Sequence, residues 1–347
     1  MIYKGMTYEV YEKEFRLKAS KSGFSEDEIL KCLNYAKPLI EKNLPIIYNT
    51  SNLSALVGYE KPYLKKAVLF TSFFYRKFNI KKKNNKLRTL SEPLPSLKEI
   101  QIWILDNILY YIPVSKFAKA YIPNRNIFDN AKYHRNKEKV LSLDIENFFT
   151  SIRRASIEKI FLKQGYSSNV SNLLSKLCCC DEVLPQGAPT SPYLSNIFLN
   201  EFDLVISVFC KEQNIRYTRY ADDLTFSGDF DEKPLMKIVA EELKKIGLRL
   251  NSDKVKVMGR SDRQIVTGLV VNKIIQTPKY KRNDIRKEMY YIRKFGLDDH
   301  IMWTQNNRAN FAKHLLGKIE YALFINPKDE EMLKYKKYLF ETYVKHN

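Results

Sequence analysis

Apolar positions recur at helical spacing through residues 1–80, and Phe24-Ser25-Glu26-Asp27-Glu28 offers a helix start at Ser25. A second helical stretch is predicted near Tyr63–Phe78. Lys81–Lys86 (Lys-Lys-Lys-Asn-Asn-Lys) breaks the pattern. A turn between two short strands is expected there, projecting cations, although a merely solubilising loop has the same composition. Leu97, Ile100, Ile104, Leu105 and Ile108 then place a helix over Ser96–Tyr111. Lys139–Ile145 reads as a strand, Ile152–Gln164 as a helix, and Ser191–Phe209 as one long helix after a turn rich in Pro and Gly. The apolar and aromatic run Ile215–Phe226 is interrupted by polar residues, which predicts a hairpin of Ile215–Tyr220 and Leu224–Ser227 with Ala221–Asp223 at its tip.

An amphipathic helix over Pro234–Ile246 follows, then strands near Lys254–Met258 and over Gln264–Val271. The resulting β-α-α-β-β-α-β order is that of a split, mostly antiparallel sheet backed by helices, an α+β class. From Pro278 onward the chain is helical and basic. Ile285, Met289 and Ile292 line one face, while Arg282, Arg286, Lys287, Arg293 and Lys294 occupy others. A further helix carries Phe311, Leu315, Ile319 and Leu323, and there is no internal repeat or Gly/Ser linker.

Charge changes this picture more than length does. The 347 residues suffice for two or three subdomains, but 59 Lys and Arg against 39 Asp and Glu leave a net charge of +20. Such an excess calls for a polyanion, either nucleic acid or an anionic membrane surface. The 23 Tyr and 20 Phe suit stacking on bases, although most must be core. No uncharged apolar stretch of about 18 residues is present, so no membrane span is expected. The first residues lack a signal-peptide apolar region. The five Cys (Cys32, Cys178, Cys179, Cys180 and Cys210) form no C-x-x-C pair, which excludes a zinc site or a disulfide framework. Reduced, buried thiols and a cytoplasmic location are the expectation.

Asp222 and Asp223, adjacent at the tip of the expected hairpin, repel each other unless a cation lies between them. A divalent metal usually fills that role and a third carboxylate completes the site; Asp144, at the end of an earlier strand, is the candidate. A lone Asp-Asp pair is most often a solvated turn, so its neighbours decide. Two-metal phosphoryl transfer requires carboxylates from separate strands, with Mg²⁺ held by a few of them and by the substrate phosphates.

The neighbours resemble those of a reverse transcriptase. Leu143-Asp-Ile-Glu-Asn-Phe-Phe149 is similar to the first carboxylate motif of that family. Leu184-Pro-Gln-Gly-Ala-Pro-Thr-Ser-Pro192 is similar to its template and nucleotide-binding turn. Tyr220-Ala-Asp-Asp223 is similar to the second carboxylate motif, and Gly247-Leu-Arg-Leu-Asn251 with Lys254 to the one after it. The order is the expected one, the nine-residue turn is very specific, and the resemblance extends over about residues 80–325. Asn130-Ala-Lys-Tyr-His134 and Val266-Thr267-Gly268 further resemble two short signatures of retron reverse transcriptases.

The resemblance implies a right-hand polymerase fold: an N-terminal helical region and fingers over 1–120, a palm with a mostly antiparallel sheet over 121–277, and a basic helical thumb over 278–347. It implies that Asp144, Asp222 and Asp223, with the Ile145 carbonyl, hold two Mg²⁺ ions, for which Mn²⁺ is a substitute. Arg88, Gln186 and Lys254 are expected at the incoming dNTP. Phe149, five residues past Asp144, is expected to exclude a ribose 2′-hydroxyl, with ordinary core packing as its rival. Asn130, His134, Val266, Thr267, Gly268, Arg282, Arg286 and Lys287 are expected at RNA; for His134 a buried hydrogen bond is the rival. A retron enzyme would copy a dedicated structured noncoding RNA from a 2′-hydroxyl primer into branched RNA-linked DNA (msDNA), in anti-phage defence with a separate effector protein and no membrane partner. A non-retron defence reverse transcriptase and a polymerase-derived RNA-binding scaffold are the alternatives.

Overall fold

Helix starts are written locally, and the first residues show it. In the computed structural model, which describes residues 7–81, 85, 87–306 and 308–344, the helix Glu26–Glu41 begins at Ser25 with a reciprocal capping box. Glu28 N–H donates to the Ser25 hydroxyl and the Glu28 carboxylate accepts from Ser25 N–H. Helices Tyr8–Lys21, Thr50–Val57 and Lys61–Leu69 complete the N-terminal region. Tyr11, Ile29, Leu33 and Ala36 are buried between its first two helices. Burial of Ile29 and of Leu33 contributes roughly 1.5–3 kcal/mol each.

The chain divides into two compact units. The first comprises Met1–Pro123, Asp144–Val208 and Lys233–Asn251; the second comprises Asn124–Leu143, Phe209–Glu232 and Ser252–Asn347.

Within the first, the helix expected over Tyr63–Phe78 stops at Leu69. Tyr75–Lys81 is instead a strand, β1, paired antiparallel with Leu87–Pro93, β2. The aromatic run Phe73-Phe74-Tyr75 mimics a helical apolar face in sequence, yet aromatics favour a pleated surface once a partner strand exists. The cationic turn expected over Lys81–Lys86 lies mostly outside the described residues. The single helix expected over Ser191–Phe209 is two, Ser191–Phe198 and Asn200–Glu212, bent by 49°. Asn200 marks the break: its side chain accepts from Ser115 N–H at 2.8 Å and donates to the Pro113 carbonyl at 2.9 Å. Among the described residues no single helix is long and apolar enough to cross a membrane.

The second unit carries the main sheet, in order β4-β5-β3-β6, from Arg216–Tyr220 (β4), Asp223–Gly228 (β5), Lys139–Asp144 (β3) and Lys256–Met258 (β6). The pairs β4/β5 and β3/β6 are antiparallel, as expected from the element order. Val140, Leu141 and Leu143 of β3 are buried, which fits a strand flanked on both sides. The strand expected over Gln264–Val271 is a tight hairpin, Ile265–Val266 (β7) and Leu269–Val270 (β8). Its two turn residues, Thr267 and Gly268, have φ of +46° and +82°. A two-residue connection needs positive φ, which an alternating apolar pattern does not reveal. Helices Lys279–Phe295, Leu297–Trp303, Phe311–Ile325 and Glu330–Leu339 close on a core of Ile285, Met289, Ile292, Leu315 and Ile319.

Candidate active site

The hairpin β4–β5 turns in two residues, with Tyr220 paired to Asp223. Ala221 takes φ +58°, a conformation costing an L-residue about 1–2 kcal/mol. The turn is held from inside by Arg219, which is wholly buried and donates from Nη1 to the Ala221 carbonyl at 3.1 Å. Asp222 and Asp223 are half-buried, and burial raises the Tyr220 phenol above its ordinary value. Arg219 was not singled out from sequence; an arginine inside an aromatic strand, two residues before the turn, is the signal that was there to read.

Asp144 is the last residue of β3 and Asp223 the first of β5, and these strands are neighbours in the sheet. The segment after Asp144 pairs with Arg249–Asn251: Asn251 N–H donates to the Asp144 carbonyl at 2.8 Å and Glu146 N–H to the Arg249 carbonyl at 2.9 Å. Ile145 thus sits opposite Leu250 in a pair whose own peptide groups do not bond each other, so its N–H and C=O are directed away from that partner. Asn251 also reaches Asp144 Oδ1 from Nδ2 at 3.4 Å. Asn147, at φ +46°, then turns the chain into the short helix Phe148–Ser151. Phe148 is buried, whereas Phe149 is only half-buried, 5.2 Å from the Phe148 ring and 6.4 Å from that of Tyr121.

Two nucleotide-site candidates are brought together within the first unit. Ser91 N–H, on the strand of Arg88, donates to the Gln186 carbonyl at 2.7 Å. Gly187, at φ +124°, lies so close that a Cβ there would be 2.9 Å from the Ser91 carbonyl oxygen. Only glycine fits. Arg88 itself is exposed on β2, and Lys254 is exposed at the end of a short 3-10 turn, Ser252–Lys254.

Among the described residues, no three His, Cys, Asp or Glu side chains gather into a ready-made metal cage. The donors at the aspartate hairpin and at Asp144 are all oxygens, which fits a hard divalent ion that keeps waters and substrate phosphates in its shell.

Three of the expected RNA-facing residues require correction. Asn130, His134 and Val266 are buried and present no surface. His134 Nε2 lies 2.7 Å from Thr218 Oγ1 and Nδ1 lies 2.7 Å from Ser227 Oγ, while Thr218 Oγ1 donates to Asn130 Oδ1 at 2.5 Å. Because the single hydroxyl proton of Thr218 goes to Asn130, Nε2 is the donor toward Thr218. This network ties β4 and β5 to the helix Ile127–Ala131. Val266 packs with Ala131, Val140, Leu269 and Ile325. Arg282 bonds Asp329 at 2.9 Å and Arg286 bonds both oxygens of Glu331 at 2.6 and 2.7 Å, which lowers the Glu331 carboxyl and raises the Arg286 guanidinium. Neither is a free cation. Thr267, Gly268 and Lys287 remain accessible, and the Thr267 hydroxyl oxygen is buried without a partner.

Residues 80–292 match the reverse transcriptase (RNA-dependent DNA polymerase) family. The retron Ec86 reverse transcriptase of Escherichia coli is 33% identical over 301 residues, covering 84% of this chain and 88% of that protein. The chain is a retron reverse transcriptase. The retron Ec83 enzyme of the same species is 32% identical over 282 residues, covering 76% of this chain and 86% of that one. Among solved structures, telomerase from Candida albicans in complex with a fragment of telomeric RNA aligns over 78% of this chain and 56% of its own, with 11% identity and a TM-score of 0.44. As a reverse transcriptase the chain is an RNA-directed DNA polymerase of right-hand fold, and enzymes of this family generally use divalent metal ions.

Proposed function

We propose that this retron reverse transcriptase copies one structured noncoding RNA into DNA, starting from the 2′-hydroxyl of an internal guanosine and leaving msDNA joined to RNA. Asp144, Asp222, Asp223 and the Ile145 carbonyl hold Mg²⁺ in this reading, and the ions supply a deprotonated attacking hydroxyl and charge neutralisation at the phosphate. The protein's own residues do the positioning. Arg88 grips the triphosphate, for which a guanidinium has the right bidentate form. Gln186 meets the nucleotide from a turn fixed to the Arg88 strand by the 2.7 Å bond to Ser91. Phe149, rather than the buried Phe148, is the ring exposed enough to exclude a 2′-hydroxyl. Lys254 stands near the leaving pyrophosphate, and Thr267, Gly268 and Lys287 face RNA. Fingers, palm and thumb correspond to 1–120, 121–277 and 278–347.

The observation that carries the reading is the buried network of Asn130 and His134 with Thr218 and Ser227. It anchors the hairpin whose far end bears Asp222 and Asp223. A retron signature that supports the aspartate hairpin from behind gives its residues a purpose without any surface exposure. A role in anti-phage defence beside a separate effector, in the cytoplasm, completes the proposal. Sequencing of the nucleic acid that co-purifies with the protein, before and after debranching enzyme, tests it. A DNA 5′ end released from a guanosine 2′,5′-linkage is expected; DNA lacking that linkage assigns the protein to a defence polymerase with another primer.

A further inference from the structure

Tyr121 adopts φ +60°, in the left-handed region that a bulky L-residue rarely enters, yet it is 46% exposed. Core packing does not explain that strain, and backbone outliers of this kind gather where a side chain has to be aimed. The Tyr121 ring lies 6.4 Å from that of Phe149, inclined by 49°.

The backbone leading to Tyr121 is strapped in place. Ala118 and Ala120 are buried. Asn196 Nδ2 donates to the Ala120 carbonyl at 2.8 Å, the Tyr193 hydroxyl to the Ile112 carbonyl at 3.1 Å, and Asn200 Nδ2 to the Pro113 carbonyl at 2.9 Å. All three donors come from the helices Ser191–Phe198 and Asn200–Glu212, which continue the nucleotide turn Leu184–Pro192. The segment that ends at Tyr121 is thus fixed to the same helices as the turn that carries Gln186.

Phe149 itself stands on a four-residue helix, Phe148–Ser151, and is only half-buried. Such a ring keeps alternative rotamers unless a neighbour blocks them. Phe148, 5.2 Å away, belongs to the same short helix. Tyr121 comes from the strapped segment and supplies a wall that does not move with that helix.

We infer that Tyr121 is a positioning residue for sugar discrimination: its ring confines that of Phe149 to the place where a ribose 2′-hydroxyl would clash. The inference rests on the reading of Phe149 as the ring that excludes that hydroxyl. Exclusion of a single hydroxyl depends on placement, and a misplacement of about 1 Å can cost on the order of a hundredfold. A ring that is loosened but still present should cost less, about tenfold.

The test is single-nucleotide incorporation by the full chain on a DNA primer annealed to an RNA template. The readout is the ratio of kcat/KM for a deoxynucleotide to that for its ribonucleotide counterpart. Tyr121→Gly removes the ring and suits the left-handed backbone, so the variant should fold as the wild type does. It should lower the ratio about tenfold, whereas Tyr121→Phe, which keeps the ring, should stay within about twofold of wild type. A purely structural role would depress both substrates alike and leave the ratio unmoved. Phe149→Ala should lower the ratio, and adding Tyr121→Gly to it should lower it no further, because the second residue acts through the first. An unchanged ratio in Tyr121→Gly beside a lowered one in Phe149→Ala overturns the inference and leaves the reading of Phe149 standing. A further fall in the double variant also overturns it, since Tyr121 would then meet the sugar directly. An unchanged ratio in Phe149→Ala refutes the reading of Phe149 and takes the inference with it.

Discussion

Gly187→Ala measures how tightly the nucleotide turn is locked to β2. The added methyl would lie 2.9 Å from the Ser91 carbonyl oxygen, 3.3 Å from its carbon and 3.6 Å from Glu92 N. All three are backbone atoms, so no side-chain rotation relieves the overlap. Restoring ordinary separation requires a shift of about half an ångström, which stretches the 2.7 Å bond from Ser91 N–H to the Gln186 carbonyl. The φ of +124° adds strain of order 1–3 kcal/mol, and weakening one hydrogen bond adds about 1 kcal/mol. A destabilisation of roughly 2–4 kcal/mol is therefore expected, against about 1 kcal/mol for Gly58→Ala, which has φ +74° but nothing within 4 Å of its Cβ. Urea denaturation of both variants reads the difference through the midpoint at unchanged slope. Single-nucleotide incorporation at varied dNTP concentration should show a higher KM in Gly187→Ala with RNA affinity unchanged. If Gly187→Ala costs no more than Gly58→Ala, the close approach to Ser91 plays no part in holding the turn.

Other expectations concern separate parts of the molecule. Phe149→Ala should raise ribonucleotide incorporation relative to deoxyribonucleotide; unchanged discrimination with a loss of stability would return Phe149 to core packing. His134→Ala removes the acceptor of the Ser227 hydroxyl and the N–H donor to Thr218 Oγ1, and should cost about 2–4 kcal/mol by thermal or urea unfolding, whereas a change within a few tenths would show that the network contributes nothing to stability. Burial raises the Cys178 and Cys210 thiols to about 12 and Cys180 to about 11, so these remain unreactive toward a thiol reagent at pH 8 until denaturant is added. Rapid labelling of any of them in the native protein would contradict their burial.

What sequence reveals here is what is local. The Ser25 start, the aspartate hairpin and the strand carrying Asp144 depend on near neighbours and form as expected, although the hairpin turns in two residues, Ala221–Asp222, and takes Asp223 into its second strand. What it conceals is long-range. Arg282 and Arg286 read as a cationic thumb face, but their carboxylates arrive from Asp329 and Glu331, more than forty residues on. Tyr75–Phe78 joins β1 only because Leu90–Pro93 lies opposite. His134 and Asn130 carry polar atoms that a sequence assigns to solvent or ligand, whereas tertiary packing gives them Thr218 and Ser227. The motifs located the site; the side of the protein each polar group faces was settled by packing.

The central claim is that Asp222 and Asp223 operate the chemistry while other surfaces hold the RNA. The direct measurement is DNA synthesis by purified wild type, Asp222→Ala and Asp223→Ala, each with its co-purified RNA, Mg²⁺ and labelled dNTPs. Both variants should retain RNA at the wild-type level and yield no labelled product. Labelled DNA from either variant at the wild-type rate would remove these aspartates from the mechanism.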